Sequence, residues 1–492
     1  MIKKEKNQPI PADERVPTRE KAAFAFGGSM DYFATGMLTT ILWMPFFNLG
    51  LGMNAAVLGG ILMIFRLWDA FTDPFCGNLS DNARTRWGRR RPFMFVAAIT
   101  TGCLFPLFWY MPGWLGDFGQ RALFTMGGSE ITGLALCLTI LGMVFFASFS
   151  CWSMPYYGLQ LELTPNYDER TRVAAWMSAV SNIAVLMGGV VLWAVNSDLF
   201  ADPTTGNPDI VKGVKMVAIP FAGLIIVAGL LPALFVKERF YEKEAAAQES
   251  ESFISSIKES FQCAPLWMLI GISFFVVFGA SIVDGLGFYV NIFKVSGGDM
   301  GDAGYIEFLK KTGMVVSALA TIPLWTWLAE KWDKKIVVGI MLVAGVVAVF
   351  LNYLCLRPDM PYLQIIPAMF ISGAVSSVWL ILPSMKADVA DYDELRTGKR
   401  REGSLNAFYS WFIKAALTAS AGTIGVIIQF IAKIDPALDV QPEAVVNRLF
   451  WAYLIMPGVL LVLPMFFLLI YPLSRKRMAE IRAELELRRG QL

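Results

Sequence analysis

The chain has 492 residues, 56% of them apolar, 13% aromatic and 17% charged, with a mean hydropathy of +0.53; such a composition lies outside the soluble globular range and inside the membrane range. A formal net charge of +2 excludes a bulk attraction for nucleic acid, and the complete lack of histidine excludes HExxH zinc chemistry and any His-based catalytic triad. The six cysteines (Cys76, Cys103, Cys137, Cys151, Cys263, Cys355) lie singly with no CxxC spacing, so neither a metal site nor a disulfide framework is indicated.

Residues 1–21 are polar, carry both signs of charge and hold prolines at 9, 11 and 17, so they form no signal-peptide core and read as a soluble tail. Apolar windows of about 20 residues then predict twelve helices, at 22–49, 55–80, 92–112, 130–159, 173–196, 213–236, 264–292, 304–330, 335–356, 361–385, 403–432 and 446–472. The one long polar interruption, Lys237 to Ser260, falls between helices six and seven. The expected plan is therefore an N-terminal six-helix half over 22–236, a linker over 237–262, a C-terminal half over 263–473 and a tail over 474–492.

An even helix count puts both chain ends on one side. Segments on that side hold 31 Lys and Arg and those on the other hold nine, while Arg66 and Lys414 fall within helices. The excess predicts that both tails are cytoplasmic. In the C-terminal tail Met478, Ile481 and Leu485 share a face, which suits either an interfacial helix or a merely solubilising one. Two loops recur: helix four runs out into Asn166-Tyr167-Asp168-Glu169-Arg170 and helix ten into Asp391-Tyr392-Asp393-Glu394-Leu395, and the basic loop 81–91 is echoed by 329–335. Matching loops at matching places predict a duplicated six-helix unit, a plan in which transporters bind their cargo near the midplane.

The stretch Arg66 to Pro92 reads RLWDAFTDPFCGNLSDNARTRWGRRRP; it starts in an apolar run and ends with five arginines between Arg84 and Arg91. Upstream of that exit Arg66, Asp69 and Asp73 stand inside the membrane, where each charge costs at least about 2.5 kcal/mol and so calls for a function. Asp69 and Asp73 are four residues apart and share a helix face. Two carboxylates that close repel, and one protonates unless a cation sits between them.

Asp31 in helix one lies at similar depth, and Lys414 in helix eleven is the one base predicted inside the second half. These acids against Arg66 and Lys414 leave one negative charge, room for a monovalent cation. Static ion pairing is the competing explanation, weakened by that uncompensated charge and by the desolvation cost of buried pairs. Pro74 removes a backbone donor and frees carbonyl oxygens one turn earlier. Asp284 in helix seven either lines the pocket or is hydrated near the outer surface. Trp152, Tyr156, Tyr157 and Trp379 suit stacking on a sugar face, although singly such residues are more often packing. No phosphate-binding or cofactor motif is present, so the energy source is expected to be a gradient.

RLWDAFTDP and TRWGRRRP, with MDYFATG in helix one, MPYYGL in helix four and KADVADYDE leading into YSWFIK, resemble the glycoside-pentoside-hexuronide:cation symporter family of the major facilitator superfamily, over essentially the whole chain. The resemblance implies an all-α polytopic membrane protein with twelve transmembrane helices in two six-helix halves. It implies no enzyme activity and no cofactor, but symport by alternating access of a monovalent cation, Na+ or H+, with a sugar or sugar derivative, in a bacterial inner membrane. Asp69 and Asp73 would bind the cation, with Thr72 between them and Lys414 beside them; Asp31 would accept hydrogen bonds from sugar hydroxyls and Trp379 would line the cavity. Arg170, Asp388, Asp391 and Glu394 would pair across the cytoplasmic ends as an inner gate.

The chain also departs from the family's pattern. Ser153 stands for an aspartate two residues before the helix-four proline, Ser178 for an arginine in helix five, Tyr157 for a tryptophan, and Thr72 for an asparagine that favours sodium. Losing an acid and a base from the sugar pocket argues against galactosides and leaves the coupling ion open. The alternative on the same fold is transport of a lysolipid or another amphiphile, as in related eukaryotic transporters with a similar acid pair. A non-transporting sensor or enzyme has no motif in its favour. Nothing marks an oligomer interface, so the expectation is a monomer in the bilayer, with no nucleic-acid partner.

Overall fold

A computed structural model describes residues 15–126, 128–163, 167–201, 209–238, 261–398, 402–438 and 440–489. The expected windows are helical: α1 (Thr18–Asp31), α2 (Ala55–Asn82), α3 (Arg91–Gln120), α4 (Gly133–Glu162), α5 (Tyr167–Val195), α6 (Ile210–Phe235), α7 (Ala264–Val290), α8 (Met300–Lys331) and α9 (Lys334–Cys355). They are followed by α10 (Ile365–Ile371), α11 (Ser377–Thr397), α12 (Glu402–Val426), α13 (Glu443–Ile470) and α14 (Arg475–Arg489). Among the described residues ten helices are long and apolar enough to cross a membrane. The predicted first and tenth helices are composite: α1 runs on as a π-helix over Tyr32–Leu42, and α10 is joined to α11 by a π-helical turn over Ser372–Ser376. The helical reading missed one hairpin, in which strands β1 (Ala122–Met126) and β2 (Ser129–Thr132) pair antiparallel with Ala122 opposite Thr132.

Side chains fix where the helices start. Asn54 accepts from the N–H groups of Ala56 and Val57 at 2.9 and 3.3 Å, and Asp299 from Gly301 and Asp302 at 2.8 and 3.0 Å, each satisfying donors left over at a helix N-terminus. Helix α3 is capped from elsewhere: the Glu238 carboxylate, just beyond α6, accepts from the N–H groups of Arg89, Arg90 and Arg91 at 3.0, 3.0 and 3.3 Å. Gly88 brings the loop against it with φ of 103°, and a Cβ there would lie 2.6 Å from the carboxylate. Apolar residues on the outward faces, such as Phe71, Phe75, Ile219 and Val459, are exposed as only a lipid environment allows.

The chain forms two compact units, of which the first takes Met1–Phe46, Leu67–Val191 and Ile210–Glu249. In it α6 runs along α1 and α3, and α3 packs on α4. Small residues set the helix spacing, as membrane helices require: a Cβ on Gly229 would lie 2.5 Å from the Met30 sulfur and 2.6 Å from the Ala98 methyl.

The second unit takes Phe47–Arg66, Leu192–Asp209 and Ser250–Leu492. Here α7 packs on α12 and α13, and α9 on α13. The first part of α2 belongs to this unit and lies against α12, where Gly59 faces the Ala421 carbonyl and Gly425 faces that of Ala55 too closely for any side chain. Tyr289 donates to the Asn48 side chain at 2.7 Å in the same region, with both residues buried. The apolar face of α14 is not turned to the membrane surface: Met478, Ile481 and Leu485 are buried in the core of this unit, and the helix packs on α11.

The echo between the basic loops has a structural counterpart. Arg91, at the start of α3, donates to the Ala233 and Leu234 carbonyls at the end of α6, at 2.6 and 3.0 Å. Lys335, at the start of α9, donates to the Leu469 and Tyr471 carbonyls at the end of α13, at 2.8 and 3.1 Å. A cation placed on the carbonyl end of a helix also opposes its dipole, so the two contacts are chemically equivalent.

Candidate functional site

Helix α2 presents Asp69, Thr72 and Asp73 on the side that meets α4, all three of them buried. The two helices are held in register by Trp68, whose indole N–H donates to the Met143 carbonyl at 2.8 Å. Opposite the acids stands Ser150, fully buried in α4. Its hydroxyl donates to Asp69 Oδ1 at 3.1 Å and lies 2.9 Å from the Thr72 hydroxyl. The Thr72 hydroxyl is also placed to donate to the Trp68 and Asp69 carbonyls of its own helix, at 3.2 and 3.3 Å. One carboxylate and two hydroxyls thus meet within apolar helices, with the buried Asp73 one turn further along the same face of α2; carboxylate and hydroxyl oxygens are ligands of the kind hard cations prefer.

Ser150 was not singled out in the sequence. Its one signal was position, a small polar residue among Phe145, Phe146, Phe149 and Trp152, and it shares that signal with Ser148 and Ser153.

The same unit contains Asp31. Its Oδ2 accepts from the Tyr157 hydroxyl at 2.9 Å and its Oδ1 from Thr35 at 3.0 Å. The neighbouring aromatics divide cleanly. Phe24, Tyr156 and Trp152 form a stack with centroid separations of 4.4 and 4.7 Å, and the polar atoms of the last two are spent on the Phe24 and Gly229 carbonyls. They are packing residues. Tyr157, by contrast, is 40% exposed beside the Asp31 carboxylate. Ser153 is buried, and Ser178 lies exposed on α5, where its carbonyl accepts from Asn182.

Lys414, on α12, and Arg66, on the first part of α2, belong to the second unit. Asp284 pairs there with Lys311 at 2.5 Å, and Glu307 pairs with Lys310 one turn away. Lys310 and Lys311 sit about ten residues into α8, in the same helix as Glu307. The acidic partners, Asp284 on α7 and Glu307 on α8, make their placement tolerable.

Of the expected gate, Asp388 is buried and pairs with Lys334 at 2.5 Å, and Asp391 and Glu394 are partly exposed on α11. The side chains of Arg170 and Trp379 lie outside the described residues.

Membrane-crossing helices, repeat-related contacts at their ends and a buried carboxylate–hydroxyl cluster define a multi-pass membrane transporter, not an enzyme. The chain belongs to the family described as MFS/sugar transport protein, whose model matches residues 24–475. It is 27% identical to an uncharacterized symporter of Synechocystis sp., over 89% of this chain and 91% of that protein. It is 24% identical to the glucuronide carrier protein homolog of Escherichia coli (strain K12), over 97% of each chain. The sodium-dependent lysophosphatidylcholine symporter 1 of Mus musculus is 23% identical, over 87% of this chain and 80% of that one. Among solved structures the D-xylose-proton symporter has the same fold, with a TM-score of 0.58 and 14% identity over 92% of this chain and 96% of that one.

Proposed function

We propose that the protein is a secondary-active symporter that couples a monovalent cation to uptake of a sugar or sugar derivative, with both chain ends cytoplasmic. The observation that carries this reading is the buried contact of Asp69 with Ser150 and Thr72, one turn from a second buried carboxylate, Asp73. A cation there offsets the repulsion between two carboxylates and lowers the cost of enclosing them away from water. The Ser150 hydroxyl on Asp69, with the Thr72 hydroxyl beside it, offers oxygen ligands that a sodium ion can use and a proton does not need, which favours Na+ over H+. Asp31 and Tyr157 are the groups offered to sugar hydroxyls.

Only the empty and the doubly loaded carrier then change state readily, because a half-loaded one would enclose an uncompensated charge. The test is uptake of labelled monosaccharides, disaccharides and uronides into proteoliposomes under an imposed sodium or proton gradient. One sugar is expected to accumulate under the sodium gradient, Asp73→Asn to abolish accumulation, and Ser150→Ala to raise the sodium concentration for half-maximal uptake roughly tenfold, the worth of one charge-assisted hydrogen bond. Undiminished concentrative uptake by Asp73→Asn would overturn the mechanism. The lysophosphatidylcholine symporter among the relatives keeps a second cargo in view; labelled lysolipid accumulating where no sugar does would replace the first reading with that one.

A further inference from the structure

The fold of the first unit brings together two cysteines that the sequence keeps 75 residues apart. Cys76 lies one turn beyond Asp73 on α2, and Cys151 follows Ser150 on α4; their Sγ atoms are 2.8 Å apart. A disulfide has an S–S distance of about 2.05 Å, so closing this gap draws the two sulfurs together by less than about 1 Å. A soft metal ion held linearly between two thiolates would instead need the sulfurs pushed apart.

The pair can also be reached. A groove of about 800 Å³ lies between α2, α3 and α4; its lining includes Cys151, Ser148 and Thr100 and extends to Thr85 in the basic loop. The two hydroxyls along it are already paired with each other at 2.5 Å, so they leave the groove wall largely apolar. Cys76 is buried behind Cys151, whereas Cys151 is partly exposed. The groove thus gives a small neutral oxidant a path to one sulfur, with the second sulfur already in attacking position.

We propose that Cys76 and Cys151 are a redox modification site, closed to a disulfide by hydrogen peroxide. In the first step the Cys151 thiol and HOOH give a sulfenic acid and water. In the second the Cys76 sulfur attacks the Cys151 sulfur, the S–O bond breaks, and the hydroxyl leaves with the Cys76 proton as a second water. Two thiols lose two electrons and one peroxide gains two. The bond ties α2 to α4 within one turn of Asp73 and next to Ser150, where the contacts of 2.9 and 3.1 Å that order the acid cluster depend on helix spacing. Oxidation is therefore expected to stop transport reversibly.

The experiment uses the full-length protein in proteoliposomes, dosed with hydrogen peroxide, quenched with N-ethylmaleimide and digested without reduction. The expected result is a cross-linked peptide joining Cys76 to Cys151, lighter by two hydrogens than its parts and released by dithiothreitol. Uptake should be lost in proportion to the cross-linked fraction and restored by the dithiol, and the variants Cys76→Ser, Cys76→Ala and Cys151→Ser should take up substrate and resist peroxide. Exposed Cys103 reports that oxidant has reached the groove. Oxidation of Cys103 with no Cys76–Cys151 cross-link would overturn the proposal, as would equal inhibition of wild type and both Cys76 variants. The mass measurement needs no substrate, so it decides the matter independently of the cargo.

Discussion

Glu169 shows how much a single buried carboxylate can hold. At the start of α5 it accepts from the Val16 N–H at 3.0 Å, pairs with Lys21 at 2.5 Å and meets Arg172 at 3.5 Å, tying the first described residues to the body of the first unit. Burial raises its pKa, but the Lys21 ammonium, the Val16 N–H and the Arg172 guanidinium outweigh that and hold it below the ordinary 4.5. A depressed carboxylate pKa stabilises the fold above the ordinary value and ceases to do so as pH falls through the lower, folded one. Glu169→Gln leaves a nearly buried ammonium without its counter-charge and should cost about 3 kcal/mol at neutral pH. Thermal unfolding in detergent should show a constant gap between wild type and variant down to about pH 5, narrowing only below 4.5; a gap independent of pH would remove the charge from the account. Asp69 and Asp73 were legible in the sequence because a carboxylate in hydrocarbon is costly enough to demand a reason. Ser150 was not, because a helical serine can satisfy itself on its own backbone and so costs little wherever it sits.

Among the elements, α3 depends on a residue from a different one. Its first N–H groups are satisfied by Glu238, and Arg91 returns the contact to the end of α6. Glu238→Gln keeps an acceptor but loses the negative charge at a helix N-terminus, and should lower stability by about 1 kcal/mol. Glu238→Ala should cost more, and Gly88→Ala should also destabilise, since the added methyl meets the carboxylate at a backbone angle that disfavours side chains. Equal unfolding temperatures for Glu238→Ala and wild type would show that water caps the helix equally well. Helix positions were readable because a span of lipid-facing residues is apolar on every side. The β1–β2 hairpin is too short to carry a pattern, and the docking of α14 was hidden for another reason. Met478, Ile481 and Leu485 announce an apolar face, but the same periodicity serves a membrane surface and a protein neighbour alike.

In each unit taken by itself a basic residue marks one end of the helices: Arg91 at the end of α6 in the first, and in the second Lys335 at the end of α13, next to the Lys334–Asp388 pair. By the positive-inside rule that end is expected in the cytoplasm. A reporter that works only in the cytoplasm should be active when fused after residue 492, and one that works only outside should be silent; the reverse pattern would invert the transport direction proposed above. The docked α14 also bears on the order of assembly. Ile481 and Leu485 complete a core whose other members lie as far back as Cys263, and the Arg475 N–H reaches back to Asp333 at 2.8 Å. During synthesis the second unit therefore stays open along α11 until α14 has left the ribosome and docked. A variant with the α14 helix removed would keep its membrane-crossing helices yet expose the apolar side of α11 that Met478, Ile481 and Leu485 cover, a bare surface open to the cell's proteases.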